Sequence, residues 1–171
     1  MNKYWKYILF PRFLDEVRDC SYVNMDDIDL QATLSNIAMN AIQDFKFCKV
    51  SLAYEEDESY DALDGNTYGY YFTDTAIGEP EYKVLLSLMK YYWVSAQITW
   101  DNNFKNPFFD KDIKGYSPGN LLTAMRGLLQ EYRQQAERDL FNYNRITKDG
   151  KIAWGQVNGN KWKCFWALSS C

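Results

Sequence analysis

Between Val84 and Trp100 the chain is apolar almost throughout, interrupted chiefly by Lys90 and Gln97. Gly78-Glu79-Pro80 opens this stretch, and the spacing predicts one long helix from about Pro80 to Asn103. Its polar positions, Lys83, Ser87, Lys90, Gln97 and Asp101, recur at helical intervals on one narrow stripe. Val84, Leu85, Leu86, Leu88, Met89, Tyr91, Tyr92, Trp93, Val94, Ala96, Ile98 and Trp100 take the other sides. A helix apolar on most sides must be covered on most sides. The segment is shorter than a membrane span and carries a lysine, so it reads as a buried helix. Either it is the central helix of the domain, or a second copy of the chain covers part of it.

The neighbouring segments are also mainly helical. Residues 11–23 predict a short helix with Pro11 in its first turn and Phe13, Leu14, Val17 and Cys20 on one face. A second helix is expected from Asp27 to Phe45, with Leu30, Leu34, Ile37, Ala38, Ala41, Ile42 and Phe45 as its stripe. Cys48, Val50, Leu52 and Tyr54 then alternate with other residues, which predicts a strand, and Tyr68–Thr73 is its candidate partner. The run Glu55–Asn66 reads as an acidic connecting loop. Ser117-Pro118 is a cap followed by proline at the first helical position. The last helix should run to about Asn142, its stripe made by Leu121, Met125, Leu128, Leu129, Tyr132, Ala136 and Leu140. The expected fold is mainly α: an elongated bundle of about four helices, a small strand pair carrying an acidic loop, and a C-terminal β-hairpin tail.

The chain of 171 residues divides unevenly in charge. Arg145, Lys148, Lys151, Lys161 and Lys163 face a single Asp149 in the last segment, leaving it at +4, while residues 1–144 carry −8. A body over residues 1–144 and a basic docking tail over 145–171 follow from that division. Asn158-Gly159 between two aromatic, alternating segments is a hairpin-turn signal. Both faces of such a hairpin carry apolar residues, and an isolated hairpin is marginal in water. Either the helical body or a partner must cover it. Trp154, Lys161, Trp162, Lys163, Phe165 and Trp166 are the candidate partner-binding residues, because indoles dominate interface hot spots.

Catalytic chemistry has little to work with. The chain has no histidine, which removes Ser-His and Cys-His nucleophile pairs and His-containing zinc sites. Cys20, Cys48, Cys164 and Cys171 form no C-x-x-C pair and read as reduced thiols of a protein made in the cytosol. The N-terminal apolar run is too short for a signal peptide. No phosphate loop, dinucleotide fingerprint or nucleophile elbow occurs. Glu55, Glu56, Asp57, Glu58, Asp61 and Asp64 lack EF-hand spacing. They read as a solvated loop or, repeated around a ring, as a negative rim that repels DNA phosphates. The expectation is a non-enzyme without a cofactor or metal, and the net charge of −4 disfavours gripping nucleic acid.

The order of elements, carried by Asp27–Phe45, Glu81–Phe104 and Asp110–Leu140, resembles the head-to-tail adaptor proteins of tailed bacteriophages, also called head completion or neck ring proteins. The resemblance covers about Asp26 to Asn144 in pattern and rests on architecture and residue style. The Trp-rich hairpin is no general feature of that family. The resemblance implies a virion protein of the neck, made in the host cytoplasm and forming a homo-oligomeric ring, typically of twelve copies. Such a ring docks on the portal protein, receives the next neck or tail component, and lets DNA pass without sequence-specific binding or a membrane. Two other classes compete. One is a soluble helical protein-binding or regulatory module. The other is an enzyme working through carboxylates or tyrosine.

Overall fold

A computed structural model describes residues 3–17, 25–60, 67–103 and 118–145 of the chain. Within them the fold is mainly helical with a small antiparallel sheet. The elements are β1 (Lys3–Tyr4), α1 (Trp5–Val17), α2 (Asp27–Asp44), β2 (Tyr54–Tyr60), β3 (Thr67–Phe72), α3 (Glu79–Asn103) and α4 (Pro118–Arg145). The expected hairpin tail and residues 18–23 of the first predicted helix lie outside the described residues.

The first helix begins at Trp5, well before Pro11, so the proline sits in its interior. There it cannot donate to the carbonyl of residue 7, a defect worth about 3 kcal/mol in a regular helix. Leu9, Phe10 and Phe13 are buried on either side of it and offset that cost. Trp5 is the hub of the sheet end of the core. Its ring lies 5.0–5.4 Å from those of Tyr54, Tyr70 and Phe72.

The sheet differs from expectation in position. Cys48, Val50 and Leu52 do turn partly inward against the core, but as irregular chain with a bend at Lys49 and Val50, ahead of the sheet. The paired strand starts at Tyr54 and runs through the acidic segment to Tyr60. Alternation reported which side chains meet the core, not where the ladder lies. Glu55, Glu56, Asp57 and Glu58 are therefore strand residues and not loop residues; Asp61 and Asp64 lie outside the described residues. The strand order β1-β3-β2 explains why charge is tolerated: β2 is an edge. The register pairs Tyr54 with Phe72, Glu55 with Tyr71 and Glu56 with Tyr70, with an irregularity between Asp57 and Tyr60. Gly69 in β3 adopts φ +71°, and a Cβ there would lie 2.2 Å from Gln31 Nε2 on α2.

Asp26 caps α2, its carboxylate accepting from the Ile28 N–H at 3.5 Å, with Asp27 and Asp29 in the first turn. Glu81 does the equivalent for α3, accepting from the Gly78 N–H at 2.9 Å. α3 is the central helix. α1, α2 and α4 all pack on it, α4 antiparallel. From Glu81 to Lys90 every residue except Lys83 is buried, so the chain covers this half of α3 by itself. Further along, Tyr91, Tyr92, Trp93 and Ile98 are only half-buried.

The polar stripe of α3 is mixed: Lys83 is exposed, but its next members are enclosed. Ser87 and Lys90 are buried, and both meet partners on neighbouring helices.

Candidate functional site

Two groupings of chemistry-bearing residues stand out among the described residues. The first follows from the edge position of β2. Period-two alternation puts Glu55 and Asp57 toward the phenols of β1 and β3. Tyr71 donates to Glu55 Oε2 at 2.6 Å, and Tyr4 donates to Asp57 Oδ2 at 2.8 Å. Asp57 also accepts from the Ser59 N–H at 3.0 Å and from its hydroxyl. The Ser59 hydroxyl, then the Tyr4 phenol and the Ser59 N–H, hold the Asp57 carboxyl below its ordinary range. The hydrogen bond to Glu55 raises the Tyr71 phenol. Burial raises Tyr70, with Glu56 adding to it.

Tyr4 and Tyr68 stack at 4.8 Å, and the Lys6 ammonium lies 5.1 Å from the Tyr68 ring. The result is an acidic edge backed by tyrosines. Glu55, Glu56 and Glu58 are exposed and Asp57 is half-buried. The row of carboxylates suits repulsion of phosphates or attraction of a basic partner. Asp57, held below its ordinary range, is poorly suited to accepting and returning a proton near neutral pH.

The second grouping is buried between α3, α4 and the segment after α2. Tyr143 donates to Glu81 Oε1 at 2.8 Å and accepts from the Lys49 N–H at 3.0 Å, with Cys48 Sγ 3.6 Å away. Lys49 Nζ donates to the Tyr143 carbonyl at 2.6 Å. Next along the helix pair, Ser87 donates to Asp139 Oδ2 at 2.6 Å, and Lys83 lies 3.3 Å from Asp139 Oδ1. Lys90 pairs with Glu16 of α1 at 2.7 Å. Burial pushes the Tyr143 phenol far up, against the Lys49 N–H, which lowers it. Each polar group here has a partner within the fold, as buried groups require. The cluster fixes how α4 lies on α3.

The sequence reading missed this network. Two signals were present. Glu81 stands three residues after Gly78, at capping-box spacing, and Asp139 falls on the inward stripe between Ala136 and Tyr143. Nothing local marks Lys49.

Of the residues predicted for binding, Trp154, Lys161, Trp162, Lys163, Phe165 and Trp166 lie outside the described residues. No group of three or more metal-ligating side chains occurs among the described residues, and no helix there is long and apolar enough to cross a membrane. A cleft of about 220 Å³ between α1 and α2 is lined by Phe10, Pro11, Leu14, Leu30 and Leu34 together with the polar Lys6, Asp27 and Gln31. It brings together no nucleophile and base.

Comparison with known proteins finds no matching family model, no matching curated protein and no matching solved structure.

Proposed function

We propose that the chain is a structural head-to-tail adaptor of a tailed-phage virion. In this reading it forms a homo-oligomeric ring, twelve copies being the family's usual number. The ring docks on the portal protein, extends the DNA conduit and joins it to the tail or the next neck component. The observation that carries the reading is the unequal cover of α3. The chain encloses Glu81–Lys90 but leaves Tyr91, Tyr92, Trp93 and Ile98 half-covered, a band of aromatic surface suited to a neighbouring subunit. This is a narrower basis than the whole Val84–Trp100 segment, because the first half of that segment needs no second copy.

Two further features support it. The helices α3 and α4 have 25 and 28 residues, about 37 and 42 Å at 1.5 Å per residue, which suits an elongated subunit. After β1, the described elements also come in the order that the resemblance implies: helix, helix, strand pair, long helix, long helix. In a ring, an acidic β2 edge turned to the lumen would repel passing DNA. Closed rings use heterologous contacts, so the aromatic band of one copy meets a different face of the next.

The test is assembly. Light scattering of the chain with and without its portal should show a ring-sized complex only with the portal, and an image of the particle should show closed symmetry. Deleting the chain from Arg145 onward should abolish portal binding and leave a helical body. Retained binding would remove the tail's role. Neutralising Glu55, Glu56, Asp57 and Glu58 should alter DNA retention and leave ring formation intact.

A second reading, a non-catalytic helical binding module, is favoured by the self-cover of Glu81–Lys90. A chain that never oligomerises with a portal would select it.

A further inference from the structure

We propose that the open edge of β2 is the seat of this chain's own C-terminal segment, Lys161–Phe165, which adds to the sheet as a further strand. Three observations carry this.

The first is the edge itself. Among the described residues β2 is hydrogen-bonded on one side only, to β3, so its outer row of backbone groups is open to another strand.

The second is charge. β2 presents Glu55, Glu56 and Glu58 exposed, and the segment from Arg145 onward carries +4. The match extends to spacing. Glu56 lies in the regular part of the ladder and Glu58 in the irregularity just after Asp57, while Lys161 and Lys163 stand at alternate positions, so a strand alongside can bring lysines beside these carboxylates. Trp162 between the lysines and Phe165 just after them are residue types that favour strands.

The third is where the described chain ends. Tyr143, two residues before the end of α4, is bonded to Lys49 through both its hydroxyl and its carbonyl. The C-terminal segment therefore leaves the body close to Lys49, five residues ahead of the start of β2 at Tyr54. At roughly 3.5 Å per residue, that separation is at most about 18 Å. The residues from 146 to 160, extended, span about 50 Å. The segment reaches the edge of its own sheet with length to spare. Tethering so short gives an effective concentration in the millimolar range, which a second copy in dilute solution does not match.

The pairing itself does not depend on the adaptor reading. If that reading holds, the pairing keeps the portal-docking tail occupied until the portal competes for it.

Hydrogen exchange on the full chain, without portal, tests the proposal. In the native chain the amides of residues 54–60 should be protected at a level independent of protein concentration. The paired substitution Lys161→Glu with Lys163→Glu should speed exchange there at least tenfold while amides of α3 residues 84–90 stay as they were. Adding Glu56→Lys and Glu58→Lys should restore protection. If the charge reversals disturb α3 as well, a chain ending at Arg145 gives the same readout. Unchanged exchange at 54–60 on removing the segment overturns the proposal. So does protection that rises with concentration, since the occupant is then a second copy.

Discussion

The phenol of Tyr143, near the end of α4, donates to Glu81 Oε1 at the start of α3 over 2.8 Å, and both residues are more than nine-tenths buried. That bond joins two residues 62 apart in sequence. The same carboxylate caps α3 through the Gly78 N–H, so one side chain both starts the central helix and anchors the last one.

Tyr143→Phe should therefore cost more than the loss of a surface hydroxyl. It strips a donor from Glu81 and an acceptor from the Lys49 N–H in a buried setting, where each unmet group costs about 1–3 kcal/mol. Urea unfolding should show a loss of about 2 kcal/mol with an unchanged slope. A loss below about 0.5 kcal/mol would mean that water replaces the hydroxyl.

Stability should fall on the alkaline side. Burial raises the phenols of Tyr92 and Tyr143 well above the ordinary 10.0, assisted for Tyr92 by its hydrogen bond to Asp44. Below pH 10 both states keep these protons. Above it the unfolded chain releases them while the folded chain holds them, so the unfolded state binds fewer protons and stability drops as pH rises. The unfolding midpoint should be flat from pH 8 to about 9.5 and decline beyond 10. Tyr92→Phe and Tyr143→Phe should each make that decline shallower.

The Lys90–Glu16 pair should be asymmetric. The Lys90 side chain is 10% exposed and that of Glu16 44%. Glu16→Ala leaves a buried ammonium without its counter-charge and should cost about 1–3 kcal/mol. Lys90→Met keeps the volume, frees a carboxylate that water can reach, and should be near neutral. The bidentate Arg12–Glu79 pair is more exposed, so Arg12→Ala should cost under about 1 kcal/mol, partly through lost packing of Arg12 on the Tyr82 ring. Chemical denaturation of the variants at low and high salt ranks them.

Gly69→Ala should lose about 1–2 kcal/mol, chiefly from the left-handed backbone at φ +71°. The clash with Gln31 involves the end of a flexible side chain, which can swing away. Adding Gln31→Ala should therefore recover little, as a two-variant thermal melt would show. Full recovery would shift the cause from backbone to packing.

The helices were legible because their signals are local. The periodicity of Asp27–Phe45 and the Ser117-Pro118 start report on residues within a turn of one another, and the observed α2, α3 and α4 lie within a few residues of expectation. The absence of histidine likewise excludes histidine-dependent nucleophile pairs without any coordinates.

What the tertiary structure decided was non-local. Glu55–Glu58 look like a loop on polarity alone; pairing with β3 makes them an edge strand, where carboxylates stay in water. Pro11 argues for a helix start until the burial of Trp5 and Leu9 extends the helix past it. Ser87 and Lys90 share a polar stripe on α3, and only when α4 and α1 close over it do Asp139 and Glu16 become their partners. Sequence periodicity sets which face of an element is apolar. Which element comes to lie against that face, and which charges are enclosed with it, depends on contacts between residues far apart in the chain.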